Sequence, residues 1–187
     1  MKFVPIFVDS SASKGLYAVH WQSDEFNVLD QCLKNWNDLN FVEDFLKQPQ
    51  NRKDLQGPKY AQNQGLNTPE KVALQIKNQA YELPHLLERL TQHGFDTDNE
   101  WVYESRTLEQ YDSGTLQELL IWKVKNKKAK PFPLLRFYLI KQQPNSYVIA
   151  SGAIKVSHSM DRPHLKAALE RARNTVTFLN SNDLLDD

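Results

Sequence analysis

An α+β fold, a small antiparallel sheet with flanking helices, is the class that three features of the sequence predict. Residues 132–140 and 147–156 read as two strands around a Pro144-Asn145 turn, residues 68–93 and 163–179 carry apolar side chains at helical spacing, and residues 3–8 and 16–21 read as an opening hairpin. With 187 residues, 40% of them hydrophobic and 25% charged, the chain can bury one sizeable core but not two large ones. It divides into residues 1–100, a hairpin with a helical extension, and residues 101–187, an antiparallel sheet with a terminal helix; the two can equally form one compact unit.

The elements follow in order. A Ser/Gly-rich link over residues 9–15 joins the first two strands. Ser23 sits where a helix cap would, with Asp24 and Glu25 in the first turn and Phe26, Leu29, Leu33 and Trp36 as the apolar stripe. Asn40 can cap a second short helix with Phe41, Val42, Phe45 and Leu46 inward. Residues 48–67 are polar, contain two prolines and two glycines, and read as a long surface loop. Thr68-Pro69-Glu70 is a helix start, and Val72, Ile76, Ala80, Leu83, Leu87 and Leu90 line the helix up to a cap at Gly94. Pro84 predicts a kink or break. Beyond residue 99 the pattern suggests a strand over 101–108, a strand or short helix over 116–124, and a solvated basic linker over 123–131. Pro163 opens the last helix, with Leu165, Ala168, Leu169, Ala172, Val176 and Leu179 on one stripe, and the acidic tail frays.

Composition narrows the chemistry. Cys32 is the single cysteine, so no internal disulfide and no cysteine metal cluster is possible, and it reads as a packed helix residue. No apolar run approaches the ~20 residues needed to span a bilayer, and the short apolar start is interrupted by Pro5; a cytoplasmic location without membrane contact is expected. There is no glycine-rich phosphate loop, HExxH or GxSxG, so neither a metal nor a cofactor is expected.

Charge is distributed unevenly. Residues 1–120 carry a net −7 and residues 121–187 a net +7, which sum to zero; the second part suits an anionic partner. Two of its cations, Arg136 and Lys155, interrupt strand-like apolar runs, where a cation is costly unless it faces water, a partner or an anion. Alternation puts Leu134, Arg136, Tyr138 and Ile140 on one face and Leu135, Phe137 and Leu139 on the core face. Helical phase puts Arg162, Lys166 and Arg173 together beside the apolar stripe of the last helix. A groove lined by these cations, with Tyr138, His158 and His164 close by, would hold a phosphate backbone.

The order LLRFYLI, a turn, YVIASGAIKV and then HSMDRPHLKAALERA, over about residues 132–180, resembles the C-terminal half of the RelE/HigB-type toxins of bacterial toxin–antitoxin modules. Leu135, Arg136, Tyr138, Ile140, Gly152, Ala153, Ile154, Lys155, Met160, Arg162 and His164 are also similar to an LRxYxI…ITGGAIK…M…RxH pattern in an uncharacterised group of bacterial proteins common in Bacteroidetes. The segments LYAVHW, DEF, WNDLNFVEDFL and KDL extend that second similarity over most of the chain.

The toxin resemblance implies a metal-independent endoribonuclease that cuts mRNA on the ribosome and is neutralised by a separately encoded helix-turn-helix antitoxin. RNA supplies the 2′-hydroxyl nucleophile, and the protein orients it, stabilises phosphate charge and moves protons. Arg136 and Lys155 would face the phosphate, Tyr138 or His164 would assist proton transfer, and Arg162, Lys166, Arg173 and His158 would hold flanking RNA. Two departures accompany the resemblance: the front part is long and acidic, and no aromatic residue follows Phe178 where such toxins carry a C-terminal tyrosine. The expected function is therefore a toxin-like RNA-cleaving protein, or else a non-enzymatic protein that docks nucleic acid or an acidic protein through its basic C-terminal part.

Overall fold

A computed structural model describes residues 1–9, 14–57, 60, 66, 68–93, 121–125, 133–143, 146–157 and 160–182. Strands β1 (Lys2–Asp9) and β2 (Lys14–His20) form the expected antiparallel hairpin, in register from Lys2 opposite His20 to Asp9 opposite Lys14, with a shift between Pro5 and Phe7. The shift falls beside the residue that has no N–H to give the ladder, and β1 is an edge strand, where proline is tolerated. β3 (Ile121–Val124), β4 (Leu135–Gln143) and β5 (Ser146–Ile154) pair antiparallel as β3–β4 and β4–β5. The hairpin joins them through a parallel pairing of β2 with β5, Gly15 opposite Ser146 to Ala18 opposite Ile149.

The sheet therefore runs β1-β2-β5-β4-β3, with strands from both sides of residue 100. Among the described residues it has five strands and is mixed rather than wholly antiparallel, within the expected α+β class. The expectation missed this because a parallel pairing needs a long crossover, which leaves no local pattern to read.

Helix boundaries show where side chains outcompete first impressions. The first helix, α1, spans Val28–Asn37 and is capped by Asn27, whose side chain accepts from the Asp30 N–H; Ser23 is not its cap. Residues 21–24 form a turn instead, closed by the Asp24 N–H on the Trp21 carbonyl. Helix α2 (Leu39–Lys47) is capped by Asp38, not Asn40, because the Asp38 carboxylate accepts from the Asn40 and Phe41 N–H groups. Its inward side is Val42 and Leu46, with Phe45 half-buried, while Phe41 is 42% exposed.

The polar stretch after it is not a surface loop throughout. Pro49 opens a short helix, α3 (Pro49–Leu55), and the buried Asn51 amide donates to the Phe45 carbonyl, tying α3 to the end of α2. Leu55, Tyr60 and Leu66 are buried. The main helix of the front part, α4 (Pro69–His93), starts as expected after Thr68 and buries Val72, Ile76, Ala80, Leu83 and Leu87. It continues through Pro84 without a break. The last helix, α5 (Pro163–Ser181), has Pro163 in its first turn and buries Leu165, Ala168, Ala172, Val176 and Leu179, as its stripe predicts. The expected Gly94 cap, the strand over 101–108, the Pro144-Asn145 turn, most of the basic linker and the acidic tail lie outside the described residues.

Both faces of the central strands are covered. Ser151 and Gly152 are successive residues of β5 and point to opposite faces. The Ser151 hydroxyl donates to the Ala168 carbonyl of α5 at 2.6 Å. A Cβ at Gly152 would lie 2.7 Å from Cys32 Sγ of α1 and 3.0 Å from the Phe137 ring. Thus α5 covers one face and α1 the other, where Trp36 also packs on Phe137 with ring centroids 5.1 Å apart. Helix α4 packs on α1 and α2 and reaches β1, β2 and β4. As a result residues 134–140 are all buried, not only the alternate ones. This is how a strand covered on both sides reads, as a near-continuous apolar run.

Candidate functional site

Arg136 enters this covered layer as the second residue of β4, paired across the ladder with Ala153. It is 8% exposed. Its Nη1 donates to the carbonyls of Leu135 at 2.7 Å and Pro133 at 3.1 Å, and no carboxylate pairs with it among the described residues. Burial lowers its pKa to about 10, opposed by Tyr138 and Tyr60. Two residues along the same face, Tyr138 is 0% exposed and its hydroxyl has no hydrogen-bond partner among the described residues. Burial pushes that hydroxyl up to about 12, with Arg136 pulling the other way.

A second polar group gathers at the same end of the sheet. The Tyr60 hydroxyl donates to the Val156 carbonyl at 2.8 Å. Burial, then Asp54, raises its pKa, and Arg136 opposes them. Asp54 in α3 receives Arg162 in a two-pronged pair, Nε to Oδ2 at 2.7 Å and Nη2 to Oδ1. His164, half-buried in the first turn of α5, places Nε2 2.8 Å from the Ile154 carbonyl, so this nitrogen carries the proton and donates. The Phe45 ring meets the imidazole edge-on with centroids 4.9 Å apart. Burial keeps the His164 pKa below its ordinary value, against the Ile154 hydrogen bond.

The sequence-predicted residues therefore do not share one open surface. Arg136 and Tyr138 lie inside, and Arg162 and His164 are engaged at the sheet end. Lys155 is half-buried, with its N–H on the Leu134 carbonyl at 2.7 Å and its Nζ 3.2 Å from Met160 Sδ. Lys166 is exposed, and Arg173, half-buried, stands 3.8 Å from Glu170. His158 lies outside the described residues. Asp54 and Tyr60, which tie the cluster together, fall in the stretch read as a loop; the recurrence of Leu55, Tyr60 and Leu66 in a polar segment was the available signal.

A different concavity opens at the far ends of β1 and β2. A cavity of about 330 Å³ is lined by Met1, Lys2, His20, Trp21 and Gln22. The Trp21 indole N–H is buried and has no acceptor among the described residues. Over its ring, 5.9 Å from the centroid, sits the Arg171 guanidinium of α5, which also reaches Asp24 at 3.3 Å. The His20 Nε2–H donates to the Asp24 carbonyl at 2.9 Å and fixes the turn that carries Trp21. Nothing in the sequence singled out these residues except a tryptophan flanked by two polar residues at a strand end.

Cys32, packed against Gly152, has its thiol pushed up to about 12 by burial, with Arg171 opposing. That is a packed thiol rather than a nucleophile. Among the described residues no three His, Cys, Asp or Glu side chains gather as metal ligands, and no helix is long and apolar enough to cross a membrane. No family model, curated protein or solved structure matches the chain.

Proposed function

We propose that the protein binds single-stranded nucleic acid through its basic C-terminal part and does not cut it. The observation that carries this reading is the contrast in access. Arg136 and Tyr138, which a cleavage scheme would need at the scissile phosphate, are 8% and 0% exposed. Lys166 and Arg171 on α5 are exposed. Arg171 also holds an aromatic ring beside it, the pairing of cation and stacking surface that single strands favour. The +7 balance of residues 121–187 supplies the long-range attraction.

Fluorescence anisotropy with a labelled 12-nucleotide RNA tests the proposal. Two phosphate contacts, through Lys166 and Arg171, predict a loss of affinity of roughly 7-fold between about 50 and 200 mM salt, and Lys166→Glu should lower both the affinity and that slope. No binding at low salt, or a flat salt response, removes the proposal. Cutting of the same RNA would replace it with the second reading.

That second reading is the toxin-like ribonuclease acting on ribosome-bound mRNA, held in check by a helix-turn-helix antitoxin. One observation favours it. The Arg136 guanidinium spends its hydrogen bonds on main-chain carbonyls, and the Tyr138 hydroxyl beside it has no acceptor among the described residues. One unmatched hydroxyl beside a guanidinium that meets only carbonyl dipoles is a pair that a phosphate would satisfy. Induced expression in bacteria decides: growth arrest with mRNA loss, abolished by Arg136→Met, supports it, and unaffected growth ends it.

A further inference from the structure

We infer that the cavity at the ends of β1 and β2 takes one unstacked base of a bound nucleic acid strand, a site that rests on the nucleic-acid reading above. Its volume of about 330 Å³ is at the small end of the ligand-pocket range of about 300–1,000 Å³ and suits a nucleotide-sized guest rather than a large one. The chemistry of its lining points the same way. Trp21 offers an aromatic ring to stack on, and the Arg171 guanidinium, 5.9 Å from the ring centroid, sets a cation beside that stacking surface. The indole N–H is itself buried, so the contact to a base is made by the ring and not by that N–H. Gln22, exposed at the mouth, carries both donor and acceptor for a base edge.

The charge around the cavity selects an anion. Lys2 lines it and is exposed, and no acidic side chain is among its lining residues. Asp24, in the turn that carries Trp21, is paired with Arg171. A phosphate on the same nucleotide would therefore meet Lys2. Arg171, beside the Trp21 ring, belongs to the same helix as Lys166.

The test uses the full chain with ¹⁵N-labelled tryptophan, in which the indole of Trp21 is assigned by its loss in Trp21→Phe. Titration with adenosine monophosphate should shift the Trp21 indole signal and leave the Trp36 indole in place, while ribose 5-phosphate, which has the phosphate but no base, should shift neither. Gln22→Ala, an exposed change that leaves folding intact, should weaken the adenosine monophosphate response several-fold. No shift with the nucleotide, or an equal shift with ribose 5-phosphate, overturns the base pocket. In the anisotropy assay, Trp21→Ala and an RNA made abasic throughout should each lose about tenfold in affinity, within the range that base–aromatic stacking contributes. RNA binding unchanged by both would sink the pocket and spare the nucleic-acid reading. A Trp21 shift with nucleotide but no RNA binding would do the reverse.

Discussion

Arg136 and Arg162 lie at the same end of the sheet, one at the start of β4 and one just before α5, yet the structure treats them in opposite ways. Arg162 meets a carboxylate, Asp54, with both prongs of its guanidinium, and that hydrogen bond raises its pKa. Arg136 meets two main-chain carbonyls, and burial lowers its pKa. Tyr60 stands between the two environments, since both Asp54 and Arg136 act on its hydroxyl. A partially exposed pair of opposite charges costs little and contributes little. A cation inside a strand with only dipoles around it is a different matter, because its desolvation is repaid by carbonyls alone.

The largest effect that can break this contrast is at Arg136. Arg136→Ala should destabilise by roughly 2–4 kcal/mol in urea unfolding, because a long buried stem is deleted and two carbonyls lose a donor. Arg136→Met should stay within about 1 kcal/mol of the parent, because it fills the volume without carrying a desolvated charge. If Met is as damaging as Ala, the guanidinium itself holds the strand and the contrast with Arg162 disappears.

Asp54→Ala comes next. It strands Arg162, which reaches water, so its unfolding midpoint should fall by roughly half or less of the Arg136→Ala shift. A larger fall would show that α3 docks through this pair rather than through Asn51 and Leu55.

Tyr60→Phe removes one buried hydrogen bond, to the Val156 carbonyl, and should cost about 1 kcal/mol. Combined with Arg136→Met in a double-mutant cycle, it measures whether the two environments communicate. Strict additivity would separate them.

The smallest effect is the pH response of His164. Its folded-state pKa lies below the ordinary 6.5 because of burial, so the unfolded chain binds the proton more readily. Stability is therefore full above about pH 6.5 and declines as pH falls through the range between the unfolded and folded values, then levels. His164→Gln should remove that decline. A profile unchanged by the substitution would assign the titration elsewhere.

What the sequence could and could not tell follows from the range over which each signal acts. The β4–β5 hairpin was legible because alternation and a turn are local. The stripe of α5 was legible for the same reason, and five of its six predicted positions are buried, with Leu169 half-buried. The partner of Arg136 was not legible: alternation assigns a face, but only the packing of α1 and α5 on both sides of the sheet decides whether that face meets water. Helix α3 was hidden because its stability comes from Asn51 reaching back to the Phe45 carbonyl, a tertiary contact inside a polar segment. The cavity at Trp21 was hidden because it is made by two strand ends that adjoin only after β1 and β2 pair.

The parallel seam between β2 and β5 has a consequence for how the chain comes off the ribosome. At about 5–20 residues per second, the roughly 130 residues between Leu16 and its neighbour Tyr147 take on the order of ten seconds to emerge. During that interval β2 has no β5 to pair with, and the backbone donors and acceptors of its inner edge are open to other nascent chains. Slower translation therefore lengthens the time for which that edge stays open.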